Sequence, residues 1–199
     1  MPNVLTYREA LTQGIREALI DNDDCFLMGE DVGAYGGAYA VSKGLLEEFG
    51  PKRIVDSPLS ESAIVGLGTG SSMVGLKPII EIMTINFLLV ALDQLVNHAA
   101  KIRYMSANQY AAPFMVRTVT GGGAQLGATH SQCFEPWLAS VPGLKVVAPS
   151  SPYDALGLFR SAIKENDPIV FVEHILLYGS KGIVDEDYYE IPIGKANVV

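Results

Sequence analysis

Cysteine is scarce in this chain, and its scarcity excludes a good deal. Cys25 and Cys133 are the two present. They stand far apart with no CxxC spacing, so neither a disulfide framework nor a thiol-disulfide motif is available. Cys25 falls in the apolar run Cys25-Phe26-Leu27-Met28 and reads as a small buried hydrophobe; Cys133, close to His130, reads more simply as a lone thiol than as a reactive one. Histidine is equally thin, and His98, His130 and His174 show no zinc-ligand spacing. Charged residues make up 18% of the chain and sum to −8. With no basic stripe, nucleic-acid binding is disfavoured. The apolar stretch from Ile79 to Val90 is broken by Glu81 and is too short to span a bilayer, so no membrane partner is expected. Met1-Pro2-Asn3 is expected to lead straight into a helix, which fits neither a signal nor a transit peptide. These absences describe a reduced, cytoplasmic chain.

What is present is apolar mass. Hydrophobic residues form 49% of 199, enough for one sizeable domain with its own core. A mean hydropathy of +0.25 is rich for so few charges and points to surface that an oligomer would cover.

Taken in order, Thr6-Tyr7-Arg8-Glu9 has the capping-box form and opens a helix with apolar residues at Ala10, Leu11, Ile15, Ala18 and Leu19. Cys25 to Met28 reads as a buried strand running into Gly29-Glu30-Asp31, followed by the glycine-rich loop Tyr35-Gly36-Gly37-Ala38-Tyr39. Ser42 to Phe49 reads as a short helix closed by Gly50-Pro51. Arg53 to Ser57 is a strand that stops at Pro58 and turns at once into a helix, with Ser60 where an N-cap belongs and Glu61 in the first turn. Ile79 to Thr84 is the next strand, and Asn86 opens a long helix to about Met105. Further strands are expected at 113–117, 144–148 and 169–173, with Ser151-Pro152 capping a helix that ends near Asn166. Strands alternate with helices, and several are apolar throughout. The expected fold is therefore α/β: a doubly wound, mostly parallel sheet with helices on both faces. Residues 1–178 form the domain, and 179–199 read as an extended connector.

Such sheets bind ligands beyond the carboxyl ends of their strands. Glu30-Asp31, Leu59-Ser60-Glu61, Thr84 to Phe87 and Gly121 to His130 all fall there. Glu61 is the one carboxylate at the head of an otherwise apolar helix. Alone it is read as a helix-dipole residue; in a cleft it is an acid–base group. Gly66, Gly68 and Gly70 lie inside a helix and lack a dinucleotide fingerprint's spacing, so close packing through Gly66 and Gly70 explains them better. Gly121 to Gly123 follow a strand, but no Lys-Ser or Lys-Thr follows them, which removes the P-loop option. The loop instead carries His130. Phe87 is either core or a ring that stacks on a planar ligand. No GxSxG elbow is present.

Several ordered stretches together resemble one family, the beta subunits of the thiamine-diphosphate-dependent 2-oxo acid dehydrogenases. They are Gly29-Glu30-Asp31-Val32-Gly33, Tyr35 to Tyr39, Arg53-Ile54-Val55-Asp56-Ser57-Pro58-Leu59-Ser60-Glu61, Met83 to Phe87, His130-Ser131-Gln132, Pro142 to Val147 and Asn166-Asp167-Pro168. The pyruvate-specific branch looks closest, with acetoin and branched-chain enzymes as near relatives and a non-catalytic oligomerisation domain as the competing class. The resemblance implies that Glu61 hydrogen-bonds the aminopyrimidine ring nitrogen, Phe87 stacks on that ring, Leu59 lies beside it, and Glu30 belongs to an acidic channel. It implies that His130 handles protons during acyl transfer to a lipoyl group. It also implies a structural potassium ion among Phe114, Ala162, Ile163, Glu165 and Asp167, mostly through carbonyls. The implied partners are an alpha subunit in an alpha2-beta2 assembly, which would hold the Mg2+ and the diphosphate, a lipoyl-bearing acyltransferase core, and a small 2-oxo acid. Two stretches depart from the family pattern. Val90 stands where many relatives place a glutamine, and Arg117-Thr118-Val119-Thr120-Gly121 replaces the more usual Arg-Gly-Pro.

Overall fold

Strands that are apolar on both sides need a sheet covered on both faces. In a computed structural model describing residues 3–123 and 125–195, six such strands form that sheet. They are β2 (Cys25–Gly29), β3 (Ile54–Asp56), β4 (Lys77–Ile82), β5 (Met115–Thr120), β6 (Lys145–Val147) and β7 (Ile169–His174). All pair in parallel, in the order β3-β2-β4-β5-β7-β6. Successive side chains alternate between the faces, which divides the core in two. Ile79, Met115, Ile169 and Phe171 meet α1 (Tyr7–Asp21) and α7 (Pro152–Ala162) on one side. Ile80, Ile82, Val116, Val170 and Val172 meet α3 (Glu61–Met73) and the helical run from Ile85 to Met105 on the other. The doubly wound reading holds.

Local chemistry sets where the helices start. At α1, Thr6 accepts the Glu9 amide at 3.1 Å and Glu9 accepts the Thr6 amide at 2.7 Å, so the capping box is formed. Ser151 caps α7 by accepting from the Asp154 amide at 3.1 Å, with Pro152 next in the first turn.

Several expectations need correction. Asn3 does not lead into a helix: β1 (Asn3–Thr6) precedes it, antiparallel to β8 (Lys181–Val184), inside the stretch read as connector. The helix expected from Ser42 begins at Leu45, as α2 (Leu45–Phe49), because Gly44 is left-handed at φ 87°. The long helix changes pitch along its length. It is α4 (Ile85–Leu88), a 3-10 turn Leu89–Ala91, a π segment Asp93–Ala99 and α5 (Ala100–Met105). The seventh helix ends at Ala162, before Asn166, and the short α6 (Glu135–Ala139) was not foreseen. In α3 the closely packed glycine is Gly68, where a Cβ would sit 2.7 Å from Ile80. Gly70 meets nothing within 4 Å.

The chain leaves β2 toward β3 on one side and leaves β4 toward β5 on the other. The crevice between the carboxyl ends of β2 and β4 is thus the switch point where ligands bind in such sheets.

Candidate functional site

Glu30 follows β2 directly, and Thr84 to Phe87 follow β4, so the two borders of that crevice carry residues singled out above. Glu61 enters from the loop after β3 as the first residue of α3, and His130 from the loop after β5. All four sit at the rim where the topology opens.

Two subsets form. On one side Glu30 stands near Glu61. The Glu30 carboxyl is 7% exposed, and neither of its oxygens has a hydrogen-bond partner among the described residues. Burial pushes its pKa above the ordinary range, the charges of Glu61 and Asp31 push it further, and the Ser60 amide works in the opposite direction. Glu61 is half-buried. Ser60 occupies the N-cap position but makes no side-chain cap; its hydroxyl donates instead to the Pro58 carbonyl at 3.0 Å. Leu59, next to them, is 79% exposed.

On the other side the Phe87 and His130 rings meet edge to face, 5.1 Å between centroids and 87° between planes. Thr129 Oγ1 lies 2.9 Å from His130 Nδ1. Both rings line a cavity of about 200 Å³ together with Tyr39, Met83, Leu126 and Ile175. The loop that carries His130 is fastened by Asn86, which the sequence marks only as part of the Thr84 to Phe87 stretch and as a helix start. Asn86 donates to Thr84 Oγ1 at 2.8 Å and accepts the Gln132 amide at 3.1 Å, while Gly121 donates to the Gln132 carbonyl at 3.1 Å. A Cβ on Gly121 would come within 2.7 Å of both Asn86 Nδ2 and the Gln132 oxygen, so that close approach requires glycine.

Beneath the rim lies a network that sequence reading missed. Arg117 on β5 donates from Nε and Nη2 to the two oxygens of Glu173 on β7, at 2.7 and 2.6 Å, and from Nη1 to Glu81 on β4. Tyr178 adds a 2.6 Å donation to Glu173. All three charged side chains are buried. Burial alone would disfavour the Arg117 charge, but the two carboxylates outweigh it and hold the proton more firmly than usual. Glu81 is shifted upward, by burial first, against the pull of Arg117. The signal was available: Glu81, Arg117 and Glu173 are charges set among apolar neighbours in strands, and a buried charge needs a partner. The residues after Arg117, through Thr120, continue β5.

The five residues suggested for a potassium ion come together only in part. Phe114, Ala162, Ile163 and Glu165 line a gap of about 10 Å³ beside Lys77, room for about one water-sized sphere. The Phe114 and Ala162 carbonyls already accept the Ile169 and Glu165 amides at 3.0 and 3.2 Å, leaving each one lone pair. Asp167 does not line the gap. It pairs with Arg103 at 2.7 Å, and Glu165 pairs with Lys145. Cys25 is buried, which pushes its thiol up to about 12, whereas Cys133 is exposed. Val90 is 63% exposed.

A face of Phe87 beside an apolar cavity, with an unpartnered buried carboxylate across the crevice, fits the pyrimidine half of thiamine diphosphate. No group of three or more His, Cys, Asp or Glu side chains among the described residues is arranged to hold a metal ion.

A family profile described as the transketolase pyrimidine binding domain matches residues 3–181. The pyruvate dehydrogenase E1 component subunit beta-1, mitochondrial, of Arabidopsis thaliana is 47% identical over 198 residues, covering 98% of this chain and 54% of the relative. The pyruvate dehydrogenase E1 component subunit beta of Rhizobium meliloti (strain 1021) is 46% identical over 195 residues, 98% of this chain and 42% of the relative. The chain therefore spans about half the length of the curated relatives it matches. Among solved structures, a split gene transketolase described as an inactive beta4 tetramer superposes with a TM-score of 0.72 at 17% identity, covering 94% of this chain and 57% of that one. That likeness concerns the fold.

Proposed function

The chain belongs to the transketolase pyrimidine-binding domain family, and from that membership we propose that it works as the beta subunit of a 2-oxo acid dehydrogenase acting on pyruvate. It would supply the pyrimidine half of a thiamine diphosphate site lying between chains. The observation that carries this reading is the placement of Glu30, Glu61, Phe87 and His130 around one switch-point crevice, in a chain 47% identical to a pyruvate dehydrogenase beta subunit. In this reading residues 1–178 are the pyrimidine-binding domain, and of the stretch 179–199 β8 still pairs with β1 before the chain begins the passage to the rest of the subunit. An alpha subunit, in an alpha2-beta2 assembly, holds the diphosphate and Mg2+, and the acyl group goes to a lipoyl-bearing acyltransferase core. The gap beside Phe114 is where the potassium ion would sit, bound by the free lone pairs of carbonyls, with Asp167 as a neighbour already paired to Arg103. Among the described residues no helix is long and apolar enough to cross a membrane. The free thiols of Cys25 and Cys133 support a reducing compartment, the cytoplasm.

Bound thiamine diphosphate supplies a nucleophilic carbon and an electron sink for decarboxylation. This chain's residues do the rest. Glu61, at the head of α3, holds a proton against the pyrimidine ring nitrogen, and Glu30 close by is kept from ionising easily by burial and by that neighbour. Phe87 offers a ring face to stack on, and Leu59 covers the edge beside it. His130, packed on Phe87, moves a proton when the acyl group passes to a lipoyl sulfur.

Stacking on Phe87 and one hydrogen bond from Glu61 are together worth roughly 2–4 kcal/mol, which corresponds to millimolar affinity or weaker. The isolated chain is therefore expected to bind cofactor and magnesium feebly and to bind them tightly only with an alpha subunit. Calorimetric titration with and without that subunit checks this. Micromolar binding by the chain alone would show that the site is not shared.

A further inference from the structure

The cavity beside Phe87 and His130 has a feature that the cofactor reading leaves unused. It measures about 200 Å³, and among the described residues its wall includes no Lys, Arg, Asp or Glu. A methyl group takes up about as much room as a water molecule, about 30 Å³. The cavity thus suits an aliphatic group of several carbons and has no Lys or Arg among the described residues to pair with a carboxylate. A 2-oxo acid has one end of each kind.

Tyr39 lines the same cavity as the Phe87–His130 pair. It comes from the glycine-rich loop, whose path is set by Gly36 and Gly37 at φ 84° and 82° and by the Gly37 amide donating to the Asp31 carbonyl at 2.8 Å. The ring is held from behind. It stacks on Tyr178 at 5.3 Å and 25°, and Tyr178 is tied through Glu173 to Arg117. The buried ion network thereby restrains the part of the cavity wall that Tyr39 supplies. A wall restrained this way sets a length.

We propose that Tyr39 is a specificity-determining residue: its ring, buttressed by Tyr178, closes an apolar cavity that receives the aliphatic end of the 2-oxo acid and limits its size. This rests on the function proposed above. The dithiolane end of a lipoyl group shares the same aliphatic chemistry, so the test separates the two sources.

The experiment uses the enzyme reconstituted with its alpha subunit, with pyruvate and ketoisovalerate as substrates and an artificial electron acceptor. Tyr39→Ala is expected to raise the ketoisovalerate-to-pyruvate ratio of kcat/KM by about tenfold or more, the range that a pocket gains or loses per methylene. Tyr39→Phe should leave that ratio within about twofold of the parent. Tyr178→Phe, which releases the buttress but keeps the Tyr39 ring, should give an intermediate ratio. Should Tyr39→Ala fail to fold, Tyr39→Leu keeps apolar packing against Tyr178 and still opens the cavity. Calorimetric binding of ketoisovalerate to a Glu61→Gln complex, with and without Tyr39→Ala, gives a readout free of turnover and should show tighter binding in the double variant. An unchanged ratio with a raised KM for a lipoyl domain overturns the inference and assigns the cavity to the lipoyl arm. A parent enzyme that turns over no 2-oxo acid at all defeats the proposed function, and the inference with it.

Discussion

Two pairs of glutamates lie within a few residues of the same strand ends, and they are treated in opposite ways. Glu81 and Glu173 are locked onto Arg117, and Glu173 also takes the Tyr178 hydroxyl. Glu30 is buried with neither oxygen partnered among the described residues, and Glu61 stands beside it at a helix start that Ser60 leaves uncapped. A buried carboxylate without a partner costs free energy, and this chain demonstrably supplies partners where the sheet needs them. The contrast separates framework from site: charges that are satisfied hold the sheet together, and charges left open await something from outside.

The strongest way to break that contrast is at Arg117. Arg117→Met leaves two buried carboxylates facing each other, and a loss of about 3–5 kcal/mol is expected in urea unfolding. A loss under ~1 kcal/mol would mean the network is not framework. Glu61→Gln tests the other side. Stability should stay within ~0.5 kcal/mol, while deuterium exchange at the thiazolium carbon of the reconstituted enzyme falls by about 10²–10⁴-fold. Exchange at the parental rate would remove Glu61 from the chemistry. His130→Ala should cost on the order of 10²-fold in acyl transfer to lipoyl and less in decarboxylation with an artificial acceptor. Equal losses would make His130 a prop for Phe87. The smallest effect belongs to Glu30→Gln, expected to stabilise the isolated chain by ~1 kcal/mol at neutral pH. The sign follows from the raised folded-state pKa of Glu30. The folded chain binds that proton more tightly than the unfolded chain does. Stability therefore falls as pH rises from the ordinary glutamate range through the folded value, and the deficit is constant above it. Unfolding curves of parent and variant should converge below pH ~4, and no convergence would refute the burial argument.

The fold was legible where a local rule and the tertiary structure agree. Thr6 to Glu9 and Ser151-Pro152 carry their caps in four residues, and the runs at Ile79, Met115 and Ile169 are apolar on both faces because both faces are covered. β1 escaped because Asn3 to Thr6 is short, partly exposed and paired with a strand that begins at Lys181. Spacing in α3 marked Gly66 and Gly70, but the rotation of the helix against Ile80 selects Gly68, and no periodicity reports rotation. At the site, Glu30, Glu61, Phe87 and His130 lie at the rim, whereas the five residues suggested for potassium lie elsewhere and come together only in part. What stayed hidden was mutual: Asn86 holding Gln132, Phe87 edging His130, and Arg117 choosing Glu81 and Glu173 across two strand pairings.

The pairing of β1 with β8 has a mechanical meaning. Asn3 lies opposite Val184 and Thr6 opposite Lys181, so the outermost pair is the one nearest the two ends of the described chain. Tension applied at Asn3 and Val184 reaches one pair at a time, starting from that pair, and opens the clip like a zipper rather than loading its bonds together. Tyr7 and Arg8, whose amides donate to Ser180 and Tyr178, would be released next. A pull on this domain would therefore reach the base of the Tyr178 buttress before it disturbed the six-stranded sheet.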